Sequence, residues 1–174
     1  MEKINSYPEI TNNTTELCNL AKKYGTDKVS HGYTKYYDLI FKKDKNNNIN
    51  FLELGIFRGS SILMWNDYFS KSTIYCIDNC EKEKCSGRVI CQSNTVQKLN
   101  EYPRIKAYYC NQDDEEKINK IFNNIEFDYI CDDASHYQKE TLKSLAILFK
   151  KLKSGGKYII EDICLLIHMQ TGSY

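Results

Sequence analysis

Apolar residues recur along this chain in two alternating rhythms. Short continuous runs at residues 49–54, 71–78, 104–110 and 157–163, and one that begins at Phe127, have the length and composition of buried strands. Between them, apolar residues return at the spacing of a single helix face. Leu17, Leu20 and Ala21 predict a helix over residues 15–23, with Thr14 or Thr15 as its cap. Tyr36, Tyr37, Ile40 and Phe41 predict a second, short one. Further helices are expected through Ile62, Leu63, Trp65 and Phe69, opened by Gly59, and over residues 94–102, stopped by Pro103. Ile118, Ile121 and Phe122 mark another, capped by Asp113 or Asp114. The last covers residues 141–152, with Gly155 at its C′ position.

Strand and helix alternate with crossovers long enough for parallel pairing. The expected fold is therefore α/β: a Rossmann-like, doubly wound, mainly parallel sheet of about five strands with helices on both faces. Residues 1–48 form an N-terminal helical or lid segment, and residues 49–174 the sheet domain. A polar stretch from Cys80 to Ser93 reads as an insertion.

The strand exits carry the chemistry. Residues 127–136, FDYICDDASH, deliver Asp132, Asp133 and then His136 past a strand end, a clustering of charge that normally has a cation or a proton to manage. For His136 the alternative is a residue that only hydrogen-bonds Asp133. The first strand exits through Glu53 and Gly55 toward Gly59, a spacing of E-x-G-x-x-x-G rather than G-x-G-x-x-G, so a pyrophosphate turn is not specified. Asp78 ends the second strand at the place where nucleotide-binding sheets hold a ribose diol, the alternative being an ordinary strand-end aspartate. Gln112 and Asp113 follow the third strand, and Glu161 and Asp162 the fifth. Asp27, Lys28, His31 and Tyr33 either form a polar lid over the site or belong to a segment that only packs on the sheet.

Composition narrows the classes. The 174 residues carry 24 Lys and Arg against 23 Asp and Glu, a net charge of +1, which disfavours a large nucleic-acid surface. No signal peptide is visible in the first residues, and no apolar run suggests a membrane span. Eight cysteines, several inside apolar runs, point to a reducing, cytoplasmic setting. Cys80, Cys85 and Cys91 lack the paired spacing of a strong zinc site.

The segments YGTDKVSHGYTKYYDLIF, FLELGIFRGSSILMWNDYF, IYCIDN, CNQDD, DDASH and LKSGGKYIIEDI, spread over residues 17–163, resemble class I S-adenosylmethionine-dependent methyltransferases. They resemble in particular the metal-dependent macrocin- and mycinamicin-type sugar O-methyltransferases and their cephalosporin-hydroxylase-like relatives. The resemblance implies methyl transfer from S-adenosylmethionine to a hydroxyl of a sugar or glycan, assisted by Mg²⁺ or a similar divalent cation. It implies that Glu53, Gly55 and Gly59 hold the methionine end of the cofactor, with Ser60 beside them. Asp78 would bind the ribose, Gln112 and Asp113 would lie near the adenine, and Asp132 would support the site from the strand end. Asp133 and Asp162 would ligate the metal, and His136 would be the general base.

The antiparallel hairpin that completes the sheet of such enzymes is not expected here. Its lack would leave the fifth strand as an open edge, a possible route to a homo-oligomer. The alternative reading is a truncated, non-catalytic S-adenosylmethionine-binding or interaction protein. A nicotinamide-dependent oxidoreductase is disfavoured by the glycine spacing. The partner expected is a small-molecule or glycan acceptor, with neither nucleic acid nor membrane.

Overall fold

Side-chain parity in the strands builds the molecule. In the computed structural model, which describes residues 14–80 and 94–162, five strands form one parallel sheet. They are β1 (Asn50–Leu54), β2 (Thr73–Asp78), β3 (Ile105–Tyr109), β4 (Phe127–Asp132) and β5 (Leu152–Ile160), in the order β3-β2-β1-β4-β5. The order reverses at β1 and β4, where a doubly wound sheet opens its ligand crevice at the carboxyl ends of the strands.

Alternate residues face opposite layers, as the period of a strand requires. Phe51, Ile74, Cys76, Tyr129 and Cys131 point into one apolar core, while Leu52, Leu54, Ile77 and Ile130 point into the other. The first core is closed by α1 (Glu16–Tyr24), α2 (Tyr33–Phe41), α3 (Ser60–Tyr68) and α4 (Thr95–Leu99). The second is closed by α5 (Glu115–Ile121) and α6 (Gln138–Leu148). Rings of Tyr37, Phe41, Phe51, Trp65, Phe69 and Tyr129 interlock in the first core, largely edge-to-face or tilted. The α1–α2 segment is therefore built into the sheet domain's own core.

Local chemistry explains the element ends. Thr15 caps α1 through a bond from Cys18 N–H to Oγ1 at 3.2 Å, and Gly25 ends it in the left-handed conformation. Asp114, rather than Asp113, caps α5, accepting from Lys117 N–H at 3.0 Å. Between α1 and α2 the expected loop contains a 3₁₀ turn, Asp27–Val29, with Thr26 before it.

Expected boundaries differ most around α6 and β5, the latter running over Leu152–Ile160 rather than 157–163. α6 begins at Gln138 and stops at Leu148, and Gly155 is not its C′ residue but lies inside β5. The pairing of β4 with β5 slips between Phe127↔Leu152 and Tyr129↔Lys157, so residues 153–156 form a bulge. Gly155 supplies the left-handed backbone there, at φ +79°. The S-G-G sequence that reads as a helix stop is equally a bulge signal.

Residues 81–93, with Cys85 and Cys91, and residues 163–174, with His168, lie outside the described residues. No helix among the described residues is long and apolar enough to cross a membrane.

Candidate active site

A cavity of about 660 Å³ opens at the carboxyl ends of the strands, in the size range of small-molecule sites. Its floor is the turn after β1, with Gly55, Ile56 and Ser60. Asp78 closes one side, Asn111 and Gln112 another, and the loop from Asp133 to Tyr137 a third. Gly25, Thr26 and Asp27 form the lip on the N-terminal side.

The β1 turn is folded around the Asp78 carboxylate. Its Oδ2 accepts from Ile56 N–H at 2.7 Å and Phe57 N–H at 3.2 Å, and its Oδ1 from Cys80 N–H at 2.6 Å. A single strand-end acid thus fixes the turn that lines the cavity while itself facing it.

Gln112 is buried and braces the opposite wall. Its Oε1 accepts from Ser135 N–H at 2.9 Å, and its amide lies 3.3 Å from Ser144 Oγ. Asp113 is not on the cavity wall; it pairs with Lys143 at 3.0 Å. Asp132 also stays below the surface, accepting from Ser144 Oγ at 2.6 Å and Tyr158 OH at 3.0 Å, and burial pushes its carboxyl up.

On the other side of the same loop the acids converge. Ligand-type atoms of Asp133, His136 and Asp162 lie within 4.8 Å of one another. Asp133 Oδ1 is 3.8 Å from His136 Nε2, and Asp162 Oδ2 is 3.6 Å from His31 Nδ1. Tyr33 OH donates to Asp162 Oδ1; that bond, with some burial, pushes the phenol up to about 12. His136 and Asp162 both hold left-handed backbones, at φ 60° and 50°, a conformation that histidine and aspartate adopt more readily than most residues. His136 Nδ1 is buried with no hydrogen-bond partner among the described residues.

Beneath this group lies a second, buried one. Lys28, 1% exposed, places its ammonium 2.5 Å from Asp133 Oδ2, 2.7 Å from Glu161 Oε1 and 3.1 Å from Glu53 Oε1. Glu161 Oε1 also accepts from Tyr37 OH at 2.5 Å and Cys131 Sγ at 3.0 Å, and Glu53 Oε2 from Trp65 Nε1 at 2.9 Å. Burial alone pushes the Lys28 ammonium down, but the surrounding carboxylates outweigh it and hold it well above the ordinary range. The acids share one cation. Burial therefore wins at Glu53, pushed up to about 7, and at Asp133, also raised despite Lys28.

The sequence-predicted residues thus divide. Gly55, Ser60, Asp78, Gln112, Asp133 and His136 line the cavity. Asp162 joins Asp133 and His136 in the acidic group at its edge. Gly59 sets the start of α3 at φ +81°, and Glu53, Asp113 and Asp132 act from outside the wall. Sequence reasoning noted Glu161 only as a strand-exit acid, gave Tyr37 no role at the site, and left Lys28 between a lid and plain packing. A signal existed: Glu161 has the parity of Ile159, so it faces the same core as Glu53 and Cys131, where an acid requires a partner.

No protein-family model matches the chain. In sequence it is similar to the mycinamicin VI 2''-O-methyltransferase of Micromonospora griseorubida, 30% identical over 158 residues, 85% of this chain and 36% of the relative. It is also similar to the L-olivosyl-oleandolide 3-O-methyltransferase of Streptomyces antibioticus, 29% identical over 162 residues, 87% of this chain and 38% of the relative. The solved structure of the MycE methyltransferase from the mycinamycin biosynthetic pathway, in complex with Mg, SAH and mycinamycin VI, superposes with a TM-score of 0.70 at 28% identity. That likeness covers 86% of this chain and 40% of the MycE chain. The chain spans little more than a third of the length of the curated relatives it matches.

Proposed function

We propose that this chain, which is similar in sequence to sugar O-methyltransferases and has the class I S-adenosylmethionine-dependent methyltransferase fold, carries out metal-assisted methyl transfer from S-adenosylmethionine to a hydroxyl of a sugar or glycan. One observation carries the reading: the Asp133–His136–Asp162 group stands beside the cavity that the Gly55 turn and Asp78 enclose. A methyl donor and a cation-held hydroxyl could meet there.

The residues suit both ligands. Asp78 and the β1 turn face the cavity as a ribose and methionine cradle would, with Gly55 and Ser60 at its floor. Gln112 secures the loop that would cover the adenine side, bonded to Ser135 N–H. Asp133 Oδ1 and Asp162 Oδ2 remain available beyond the bonds made by their sister oxygens to Lys28 and Tyr33. Hard carboxylate oxygens of this kind suit Mg²⁺, which keeps other positions for water or substrate, so Asp133 and Asp162 would hold it. When bound, such a cation lowers the pKa of a hydroxyl near it.

The remaining steps belong to this chain's side chains. The cavity walls align acceptor and donor, and alignment alone can supply several kcal/mol of the barrier, about 7 or more in the best cases. His136 stands beside Asp133 and takes the hydroxyl proton as the oxygen attacks the methyl carbon and the thioether leaves. Asp133, 3.8 Å away, steadies the imidazolium that results.

Calorimetry tests the proposal. S-adenosylmethionine and S-adenosylhomocysteine should bind and NAD should not, each measured with and without EDTA, and methyl transfer to a glycoside panel should require the metal. Failure to bind either methionine-derived ligand would sink the reading. Binding without transfer to any hydroxyl acceptor would favour a non-catalytic role, and transfer unaffected by EDTA would remove Asp133 and Asp162 as ligands.

A further inference from the structure

Lys28 is the only buried lysine among the described residues, and its surroundings are unusual. An ammonium has three N–H donors. Here it faces three carboxylates, from the exits of β1, β4 and β5. The 3₁₀ turn that carries it begins at Asp27, which lines the cavity together with Gly25 and Thr26 just before it. The segment that forms the cavity's lip therefore also reaches beneath its acidic edge.

The contact with Asp133 is one-sided. Oδ2 is held by Lys28 Nζ at 2.5 Å, and Oδ1 turns outward to His136 and the open group with Asp162. We infer that Lys28 is a positioning residue for the cation site: its ammonium pins one oxygen of Asp133 inward so that the other is presented to the cation. This rests on the reading in which Asp133 and Asp162 hold that cation. Partners of this sort orient a ligand that they do not replace. Glu161 and Glu53 hold the ammonium in turn, so the orientation is set from both the lip segment and the sheet.

Charge and orientation predict opposite results, which makes the inference testable. Removing a positive charge so close to a ligand should tighten the binding of another cation. Losing an orienting partner typically weakens metal affinity by about 10–100-fold. The experiment titrates Mn²⁺ into the wild-type chain, Lys28→Met and Lys28→Met/Glu53→Gln, counting free Mn²⁺ by electron paramagnetic resonance. The double variant also removes the buried carboxyl that Lys28 faces at 3.1 Å, limiting the cost to the fold. Thermal melts are recorded on the same samples without metal.

The wild type should bind Mn²⁺, and the folded variants should bind it about 10–100-fold more weakly. A folded variant that binds as tightly as the wild type, or more tightly, overturns the inference and leaves the cation site standing. Wild-type protein that binds no Mn²⁺ overturns the site and the inference together. Failure of both variants to fold would also overturn it, since Lys28 would then be a folding element.

Discussion

Gly55 and Asp133 touch backbone to backbone: a Cβ placed on Gly55 would lie 2.1 Å from the Asp133 carbonyl oxygen and 3.0 Å from the Ala134 Cα. The ladder continues here past the strand ends, with Gly55 N–H bonded to the Ile77 carbonyl and Asp133 N–H to the Leu54 carbonyl. The turn that lines the cavity floor and the loop that carries the acids are thus locked to each other. Gly55 also sits at φ +91°, where an L side chain is strained. Gly55→Ala should destabilise the chain by about 3 kcal/mol or more, backbone strain and overpacking acting together. Urea denaturation measures it; a loss under about 1 kcal/mol would mean that the two segments are not held this closely.

His136 has a separable role. Its Nδ1 makes no hydrogen bond among the described residues, and its Nε2 only approaches Asp133, so the ring does little for the fold. His136→Ala should slow methyl transfer to a glycoside acceptor by about 10²–10⁴. Calorimetric affinity for S-adenosylhomocysteine and the melting temperature should stay near wild type. Turnover at the wild-type rate would refute the proton-acceptor role.

The strands were legible in the sequence because period and composition agree there. Residues 49–54 and 71–78 anticipate β1 and β2 within two residues at either end. Asp133, His136 and Asp162 could be placed together because two of them leave a strand end and the third leaves the neighbouring one. The Gly155 bulge was illegible because the S-G-G sequence serves helix stops and strand bulges alike. Lys28 was hidden for a different reason. Lysine is almost never buried without partners, and its partners here are 25, 105 and 133 residues away in the chain. Only the folded sheet brings them together.

Asp78 offers a second route to the cavity. Its carboxylate accepts three backbone N–H groups, two of them from the turn that faces the ligand. Asp78→Asn keeps the shape but loses the charge, and its amide nitrogen must point at one of those donors. The turn should loosen, costing about 1–3 kcal/mol for the unmet groups, and affinity for S-adenosylhomocysteine should fall at least tenfold. Calorimetry and melting temperature read the two effects. Wild-type affinity in Asp78→Asn would show that the carboxylate does not serve the ligand, and a wild-type melting temperature that it does not hold the turn.

Glu53 should set the chain's response to pH. It is fully buried and competes with Glu161 and Asp133 for the one Lys28 ammonium, so burial raises its folded pKa to about 7 from an ordinary 4.5. Below about pH 4.5 the acid is protonated folded or unfolded, and its favourable contribution is fully present. Between 4.5 and 7 the unfolded chain releases the proton more readily, so stability falls as pH rises, and the loss is complete above the folded value. The 2.5-unit difference between those two values corresponds to a loss on the order of 3 kcal/mol. Asp133, also raised by burial, shifts stability in the same direction. Urea midpoints measured in EDTA between pH 5 and pH 7.5 should therefore decline. In Glu53→Gln, which cannot ionise and can still accept from Trp65, the decline should be much shallower. An equal slope in both proteins would show that Glu53 is charged throughout and that Lys28 satisfies all three acids.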